Sequence, residues 1–276
     1  MRGVKSIERP LFFLLVAVIL TLSIFPVVYA FFTSLKPGKE LFVLPPRILP
    51  KEWTLEPYGY VFQHGEYLRY FLNSVVIAGG TTIVCLVLAS LAGYGFSRFW
   101  IPAKRAILTI ILLLQMFPGV VLLTPYYRLA QDLHIYDTYL ILILIDSGLV
   151  LPISIWLLKN FFDTVPASME ESAMVDGSTR LQALVYVVAP LVRPGLVAMT
   201  IMAFLTSWNE FMFALILTSS PNVSPVTYGL AQLFGPYNIQ RNIVMAITML
   251  SVFPLILIFV FLQRHLVRGI MGGSGK

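Results

Sequence analysis

Charged residues are scarce in this sequence. They make up 12% of its 276 residues, whereas soluble domains carry roughly 25%. Hydrophobic residues account for 58%, and the mean hydropathy is +0.85. The apolar residues lie in long unbroken runs, each long enough to cross a hydrocarbon core about 30 Å thick. The sequence therefore predicts an integral membrane protein that is all-α, with six transmembrane helices.

Cysteine and histidine are also scarce, and their positions exclude two kinds of site. The single cysteine, Cys85, lies within an apolar run, so this chain alone cannot build a disulfide framework or a cysteine zinc site. His64, His134 and His265 lie outside the predicted spans, which leaves the serines in the membrane without an imidazole base. We therefore expect no metal site, no catalytic residue and no membrane-embedded hydrolase.

The net charge of +6 does not indicate nucleic-acid binding. The basic residues are scattered in ones and twos between apolar runs instead of forming one basic face. The glycine-rich segment 272–276 does not match a phosphate-binding loop, because Ile270 stands where the first glycine of that motif belongs. Any energy from ATP is therefore expected to come from another polypeptide.

The apolar runs alternate with more polar segments. The first run is too long for a secretory signal, whose apolar region is roughly 7 to 15 residues. Lysine and arginine concentrate on the side of the two termini, which predicts that both termini are cytoplasmic. The six predicted spans are 10–35, 70–97, 106–127, 138–158, 194–218 and 242–263, and the single transmembrane domain covers about 70–263. The predicted external loops are 36–69, 128–137 and 219–241. The predicted cytoplasmic segments are the N-terminus 1–9, a loop at 98–105, a longer loop at 159–193 and the tail 264–276.

Prolines interrupt several of these segments. The external loop 36–69 contains five prolines among aromatic residues, so it is either a packed connector along the membrane interface or a docking surface for an external partner. Within the spans, Pro118, Pro125, Pro152 and Pro254 can kink their helices.

The cytoplasmic segment 159–193 has the clearest local signals. Pro166 can open a short helix that continues through Val175. Gly177 suits the left-handed residue that ends such a helix, and Ser178 can cap a second one. We therefore predict two short helices joined by a sharp turn.

The first of these helices offers a mixed surface. Met169, Ala173 and Met174 provide adaptable apolar contact, and Glu170, Glu171 and Asp176 provide charge within two turns. Such a helix can transmit a push from a soluble partner. It can equally be a surface helix with no special role.

The same segment carries a family pattern. The matching positions are Glu171-Ser172-Ala173, Gly177, Val187 and Pro190. This spacing resembles the signature loop of ABC importer permeases, which reads Glu-Ala-Ala, three residues, Gly, nine residues and Ile-x-Leu-Pro. Ser172, Val187 and Ala189 depart from that pattern by small or conservative changes.

The resemblance extends over nearly the whole chain. It is similar to the smaller permease subunit of the maltose-type carbohydrate importers, a family of binding-protein-dependent transport systems. The further positions that carry it are Phe25-Pro26, Ser34-Leu35-Lys36-Pro37, Asn73-Ser74, Gly93-Tyr94, Phe96-Ser97-Arg98, Met116-Phe117-Pro118, Trp208-Asn209-Glu210 and Val267-Arg268-Gly269.

The resemblance implies a type I ABC importer permease fold in a bacterial cytoplasmic (inner) membrane. It implies that the signature loop is the coupling helix, with Glu171 and Gly177 at its centre, seated in a cleft of an ATPase subunit. It also implies a second homologous permease, two ATPase subunits that carry ATP and Mg, and an extracytoplasmic sugar-binding protein. This chain itself is expected to bind no cofactor.

Polar side chains within the spans have two interpretations. Asp146, Asn209 and Glu210 are costly in hydrocarbon and should face the bundle interior or a water-filled cavity. With Trp208, whose ring can stack on a sugar, they are the candidates for a substrate pathway. Alternatively they hold helices together by hydrogen bonds worth about 0.6 kcal/mol on average. An ion-coupled secondary transporter would also use intramembrane acids, but the sequence shows no inverted repeat.

Overall fold

The computed structural model describes residues 4–233 and 241–273, with side chains described for 12–233 and 241–261. Within these ranges every regular element is a helix, which confirms the predicted all-α class. Residues 1–3 of the predicted N-terminal segment, 234–240 of the last external loop and 274–276 of the predicted tail lie outside the described residues.

Four helices are individually long and apolar enough to cross a membrane. Two bent helix pairs raise the number to six if each pair counts as one span. The long helices are α1 (Val4–Ser34), α3 (Gly65–Arg98), α6 (Tyr139–Asp163) and α13 (Arg241–Gly273). The shorter helices are α2 (Glu56–Gln63), α4 (Lys104–Leu113), α5 (Gly119–Asp132), α7 (Ala167–Val175), α8 (Arg180–Ala183), α9 (Ala189–Leu191), α10 (Arg193–Trp208), α11 (Met212–Leu217) and α12 (Val226–Gln232).

The predicted continuous span 106–127 is two helices. The α4 helix and the 3₁₀ turn after it meet α5 at 92°. The break lies at Phe117 and Pro118, whose ψ angles of 125° and 120° are extended. A proline disfavours the helical conformation of the residue before it, which explains the bend. By contrast, Pro125, Pro152 and Pro254 lie inside helices.

The predicted span 194–218 is also interrupted. Helix α10 ends at Trp208, and α11 begins only at Met212. At its other end, α10 meets the segment Arg180–Leu191 at 86°. The break between α10 and α11 falls on the polar pair Asn209 and Glu210, within a run that is otherwise apolar. Helix α3 begins at Gly65 instead of the predicted residue 70, and α6 runs on to Asp163.

The described chain divides into two compact units. The first comprises residues 4–68, 230–233 and 241–253. In it, the Ser34 hydroxyl lies 2.8 Å from the Tyr58 hydroxyl, and the Asn242 amide donates to the Lys36 carbonyl over 3.1 Å. The Glu40 carboxylate accepts the backbone N–H groups of residues 51 and 52. Hydrogen bonds therefore fix the segment after α1.

The second unit comprises residues 69–229 and 254–273. Its core contains two clusters of buried apolar side chains, one around Phe162 and Met199 and one around Leu142 and Leu217. At Gly93 of α3, an added Cβ would lie 3.0 Å from the backbone nitrogen of Lys159 in α6. Helices α3 and α6 are therefore in nearly direct backbone contact there.

A turn at one end of the second unit is held by Asp137. This residue adopts φ +55°, and its Oδ1 accepts the backbone N–H groups of Ser219 and Ser220 over 2.9 and 3.2 Å. Burial alone raises the pKa of Asp137, but the hydrogen bonds from Ser219 and Ser220 outweigh it and hold this pKa below its usual value.

Candidate coupling surface and intramembrane polar cluster

The first helix of the predicted coupling loop forms where the sequence indicates. Pro166 is its N-cap, and α7 follows from Ala167 to Val175. Gly177 has φ +91°, in the left-handed region that favours glycine. An added Cβ at this glycine would meet no atom within 4 Å, so the backbone angle alone explains the glycine.

The second helix is capped one residue later than predicted. Thr179, not Ser178, is the N-cap of α8. Its hydroxyl oxygen accepts the Gln182 N–H over 3.3 Å, and the Gln182 side-chain oxygen accepts the Thr179 N–H over 2.8 Å. This reciprocal pair is a capping box, which the sequence Thr-x-x-Gln already contained.

The loop returns to the membrane through an irregular segment. A π-helical stretch, Leu184–Val188, follows α8 directly, and Val192 marks the bend before α10. Single-turn π-helical segments are frequent at functional sites, since they interrupt the regular hydrogen-bond ladder. No local pattern in the sequence predicts this stretch.

The predicted coupling residues lie on the accessible side of the loop. Met169 is 44% exposed. Glu171, Asp176 and Gly177 are exposed, and Ala173 and Met174 are half-buried. All six belong to one short helix and the turn that ends it, so they form a continuous surface that a partner can contact.

The sequence predicts Glu170 as one of the charges on the surface of this helix, and the structure corrects that prediction. Its side chain is only 3% exposed, and its Oε2 accepts the Arg98 Nε–H over 2.8 Å. The Tyr94 hydroxyl donates to the other carboxylate oxygen. The pKa of Glu170 is raised above its usual value, first of all by burial. The charge of Arg180 lowers this pKa, and the charge of Glu171 raises it. No local pattern in the sequence distinguishes this buried acid from the exposed Glu171 next to it.

Further contacts fix the same end of α3 to the loop. The Arg98 Nη2 donates to the Val165 carbonyl over 2.9 Å, and the Ser97 hydroxyl donates to Asp163 over 2.7 Å. The Arg180 guanidinium lies 5.1 Å from the centre of the Phe99 ring, within the range of a cation–π contact.

Asp146 lies at a junction of three helices. It is 2% exposed, and the Ser207 hydroxyl of α10 donates to its Oδ2. The same Ser207 oxygen lies 3.3 Å from the Thr81 hydroxyl of α3. Among the described residues, Asp146 Oδ1 has no hydrogen-bond partner. Hydrogen bonding therefore ties α3, α6 and α10 together at this level.

Glu210 lies beside Asp146 but has a different role. Both side chains line a cavity of about 10 Å³, close to the minimum that holds one water. The Glu210 carboxylate accepts the N–H groups of Phe213 and Ala214 over 2.8 and 3.0 Å, so it caps α11. The Thr227 hydroxyl donates to its backbone carbonyl over 2.7 Å. This arrangement explains why the helix restarts after the break that follows α10.

The remaining two pathway candidates differ in accessibility. Trp208 is 3% exposed, with its ring stacked 5.4 Å from Phe204 and edge-on 5.6 Å from Phe71. In this conformation its faces are covered by protein. Asn209 is exposed, and its amide donates to the Leu205 carbonyl over 2.7 Å. Of the four candidates, Asn209 alone presents an exposed side chain.

Comparison with known families defines the class of protein. Residues 85–272 match the family described as binding-protein-dependent transport system inner membrane component. The match covers more than half of the chain, so the chain belongs to this family. It is a permease subunit of an ABC importer, as its sequence motifs predicted.

Individual relatives match over nearly their full length. An inner membrane ABC transporter permease protein of Escherichia coli (strain K12) is 31% identical over 99% of this chain and 98% of its own. The arabinooligosaccharides transport system permease protein of Bacillus subtilis (strain 168) is 30% identical over 99% and 97%. A chain from the crystal structure of a bacterial ABC transporter involved in the import of the acidic polysaccharide alginate has a TM-score of 0.83 and 22% identity, with 95% and 97% covered. The fold is thus that of a type I ABC importer permease.

Proposed function

We propose that this chain forms, with a second homologous permease, the membrane pathway for uptake of a di- or oligosaccharide or a related polyol or glycerol-phosphate. Two ATPase subunits, which carry ATP and Mg, drive the transport, and an extracytoplasmic sugar-binding protein delivers the substrate. Relatives named for arabinooligosaccharides, trehalose and maltodextrin support this substrate class. The chain binds no cofactor of its own, and both of its termini lie in the cytoplasm.

The accessible surface of α7 and its turn carries the proposal. Met169, Glu171, Ala173, Met174, Asp176 and Gly177 make up this surface. It is held by a turn with a left-handed glycine, a capping box and an ion pair, so its shape is fixed before any partner arrives. A preformed helical surface binds a groove without a large cost in ordering. The ATPase subunit is the partner that this surface fits.

The substrate pathway runs beside the polar cluster of α10. Asn209 offers an exposed amide for sugar hydroxyls. Trp208, Glu210 and Asp146 act behind it by fixing the break between α10 and α11. Amides and acids are the groups that take sugar hydroxyls, so this cluster is suited to a carbohydrate once a partner permease completes the wall.

Substitutions on the coupling surface test the proposal. Gly177→Asp and Glu171→Ala should insert normally but lose the copurifying ATPase, and oligosaccharide uptake should fall at least tenfold. Gly177→Asp forces a side chain into φ +91°, and Glu171→Ala removes an exposed charge from the contact. Asp132→Ala, an exposed acid at the end of α5, is the matched control and should behave as wild type. Normal uptake in a correctly inserted Gly177→Asp variant would exclude this role for the loop.

An ion-coupled secondary transporter is the alternative that would use Asp146 and Glu210, which line one small cavity, but the family to which the chain belongs disfavours it. The two mechanisms differ in their energy source. ATP depletion should stop uptake by the importer, whereas a protonophore at constant ATP should stop uptake by a carrier. Mild solubilisation with mass spectrometry adds an independent check, since the importer should copurify with a homologous permease and an ATPase in fixed proportion.

A further inference from the structure

The attachment of α7 to the rest of the second unit is polar. Of its nine residues, Glu170 is the only buried one. Helices usually dock through several apolar side chains, whereas here a carboxylate occupies the single buried position. Apart from the half-buried Ala173 and Met174, the contact of α7 with the rest of the unit is therefore made through this carboxylate.

Arg98, the last residue of α3, meets this carboxylate and the linker before α7 at once. It donates from Nε to Glu170 over 2.8 Å and from Nη2 to the Val165 carbonyl over 2.9 Å. Its side chain is 11% exposed. Tyr94, one turn earlier in α3, donates to the second oxygen of Glu170. Both oxygens of the carboxylate are thus bound by one helix end, which fixes the distance and the orientation of α7 relative to α3.

The chain segments that connect α7 to α6 and α10 are irregular in backbone conformation. Toward α6 the chain passes through the non-helical residues 164–166, and toward α10 it passes through Gly177, the π-helical stretch Leu184–Val188 and the bend at Val192. Irregular segments absorb displacement by changes in backbone angles. Helix α3, by contrast, is one element of 34 residues, about 50 Å long at 1.5 Å per residue.

We propose that Arg98 and Glu170, assisted by Tyr94, form the joint through which a displacement of α7 is passed directly to α3. This inference rests on the proposed docking of an ATPase subunit on α7. Arg98 and Glu170 are positioning residues, since neither touches nucleotide or substrate. A buried ion pair adds little stability compared with apolar packing, but it fixes one geometry between two elements. Transmission of movement between the loop and the membrane helix requires that fixed geometry.

The test uses the complete importer in proteoliposomes, with its partner permease, ATPase subunits and binding protein, and measures sugar taken up per ATP hydrolysed. In Arg98→Ala and in Glu170→Ala the ATPase should still copurify and hydrolyse ATP, but uptake per ATP should fall at least fivefold. The double variant should lose no more than either single one, because the joint is already broken. Arg98→Lys keeps the charge and should recover at least half of the wild-type ratio.

Lys159→Ala is the matched control. It removes a cation at the same end of the bundle, but its partner Asp163, 2.5 Å away, lies four residues on in the same helix. Its ratio of uptake to hydrolysis should equal that of wild type. If uptake and hydrolysis fall together in Arg98→Ala and Arg98→Lys, or if the losses in the two alanine variants multiply, the joint is refuted. Failure of the wild-type chain to recruit an ATPase would overturn the proposed function as well, and is recognised before any variant is made.

Discussion

Replacement of Glu210 separates a structural role from a transport role for an acid in the membrane. In the structure, one carboxylate oxygen accepts the Phe213 N–H over 2.8 Å and the other accepts the Ala214 N–H over 3.0 Å. Glutamine keeps one acceptor and replaces the other oxygen by an NH₂ group, which cannot accept the second N–H. Alanine removes both acceptors.

The hydrogen bonds set the size of the expected effect. A hydrogen bond to a charged group contributes about 1.5 to 3 kcal/mol and a neutral one about 0.5 to 1.5 kcal/mol. Glu210→Gln, which loses one bond and weakens the other, should therefore destabilise the chain by about 2 kcal/mol. Glu210→Ala should cost about 4 kcal/mol, because both N–H groups at the start of α11 lose their acceptor.

Two measurements on the same preparations test this reasoning. Thermal unfolding in mild detergent gives the order wild type, Glu210→Gln, Glu210→Ala, and uptake in proteoliposomes below the unfolding temperature should stay within twofold of wild type for Glu210→Gln. Glu56→Gln, an exposed acid at the start of α2, is the control and should change neither quantity. Loss of uptake in Glu210→Gln with an unchanged unfolding temperature would refute the capping role and favour an ion-coupled carrier.

Three further substitutions have defined outcomes. Gly195→Ala places a Cβ 2.4 Å from the Phe161 ring, so it should cost about 1 to 3 kcal/mol in thermal unfolding, and an unchanged melting temperature would show that the ring yields freely. Asp137→Asn should lower the free energy of unfolding by about 1 kcal/mol at neutral pH. Because the pKa of Asp137 is depressed in the folded state, the stability that its carboxylate contributes is present above about pH 3.9 and is lost as the pH falls through the folded pKa. The difference between variant and wild type should therefore disappear in thermal unfolding at lower pH, and its persistence there would contradict the reasoning. Asp146→Ala leaves the buried Ser207 hydroxyl with only its longer contact to Thr81 and should cost about 2 kcal/mol, whereas Asp146→Asn keeps an acceptor and should cost less than half as much. Equal losses in unfolding experiments would show that charge, and not the hydrogen bond, matters there.

The sequence predicted most of the spans because hydrocarbon thickness sets a minimum length for an apolar run. It did not locate the break at Phe117 and Pro118 or the break between α10 and α11. Pro118 stands at a break, as the N-cap of α5, while Pro152, in an equally apolar run, lies inside a helix. The difference depends on whether neighbouring helices satisfy the backbone groups that a proline frees, and a local pattern does not contain that information.

The coupling loop shows the same division between local and long-range information. The left-handed Gly177 follows from turn chemistry within a few residues, and so does the presence of a second cap, although the sequence placed it one residue early. The contact between Arg98 and Glu170 joins positions 72 residues apart. A family motif marks the exposed residues proposed for docking, but the buried acid next to them becomes visible only when α3 and α7 are placed side by side.

The close approach at Gly93 has a consequence for how the membrane helices can move. An added Cβ there would lie 3.0 Å from the Lys159 backbone nitrogen and 3.2 Å from the Leu158 Cβ. Packed interiors shift between discrete arrangements instead of deforming gradually. Helices α3 and α6 pack so closely at this level that any residue with a Cβ at position 93 would have to push them apart. A displacement of either helix toward the other at this level is therefore passed on by direct contact.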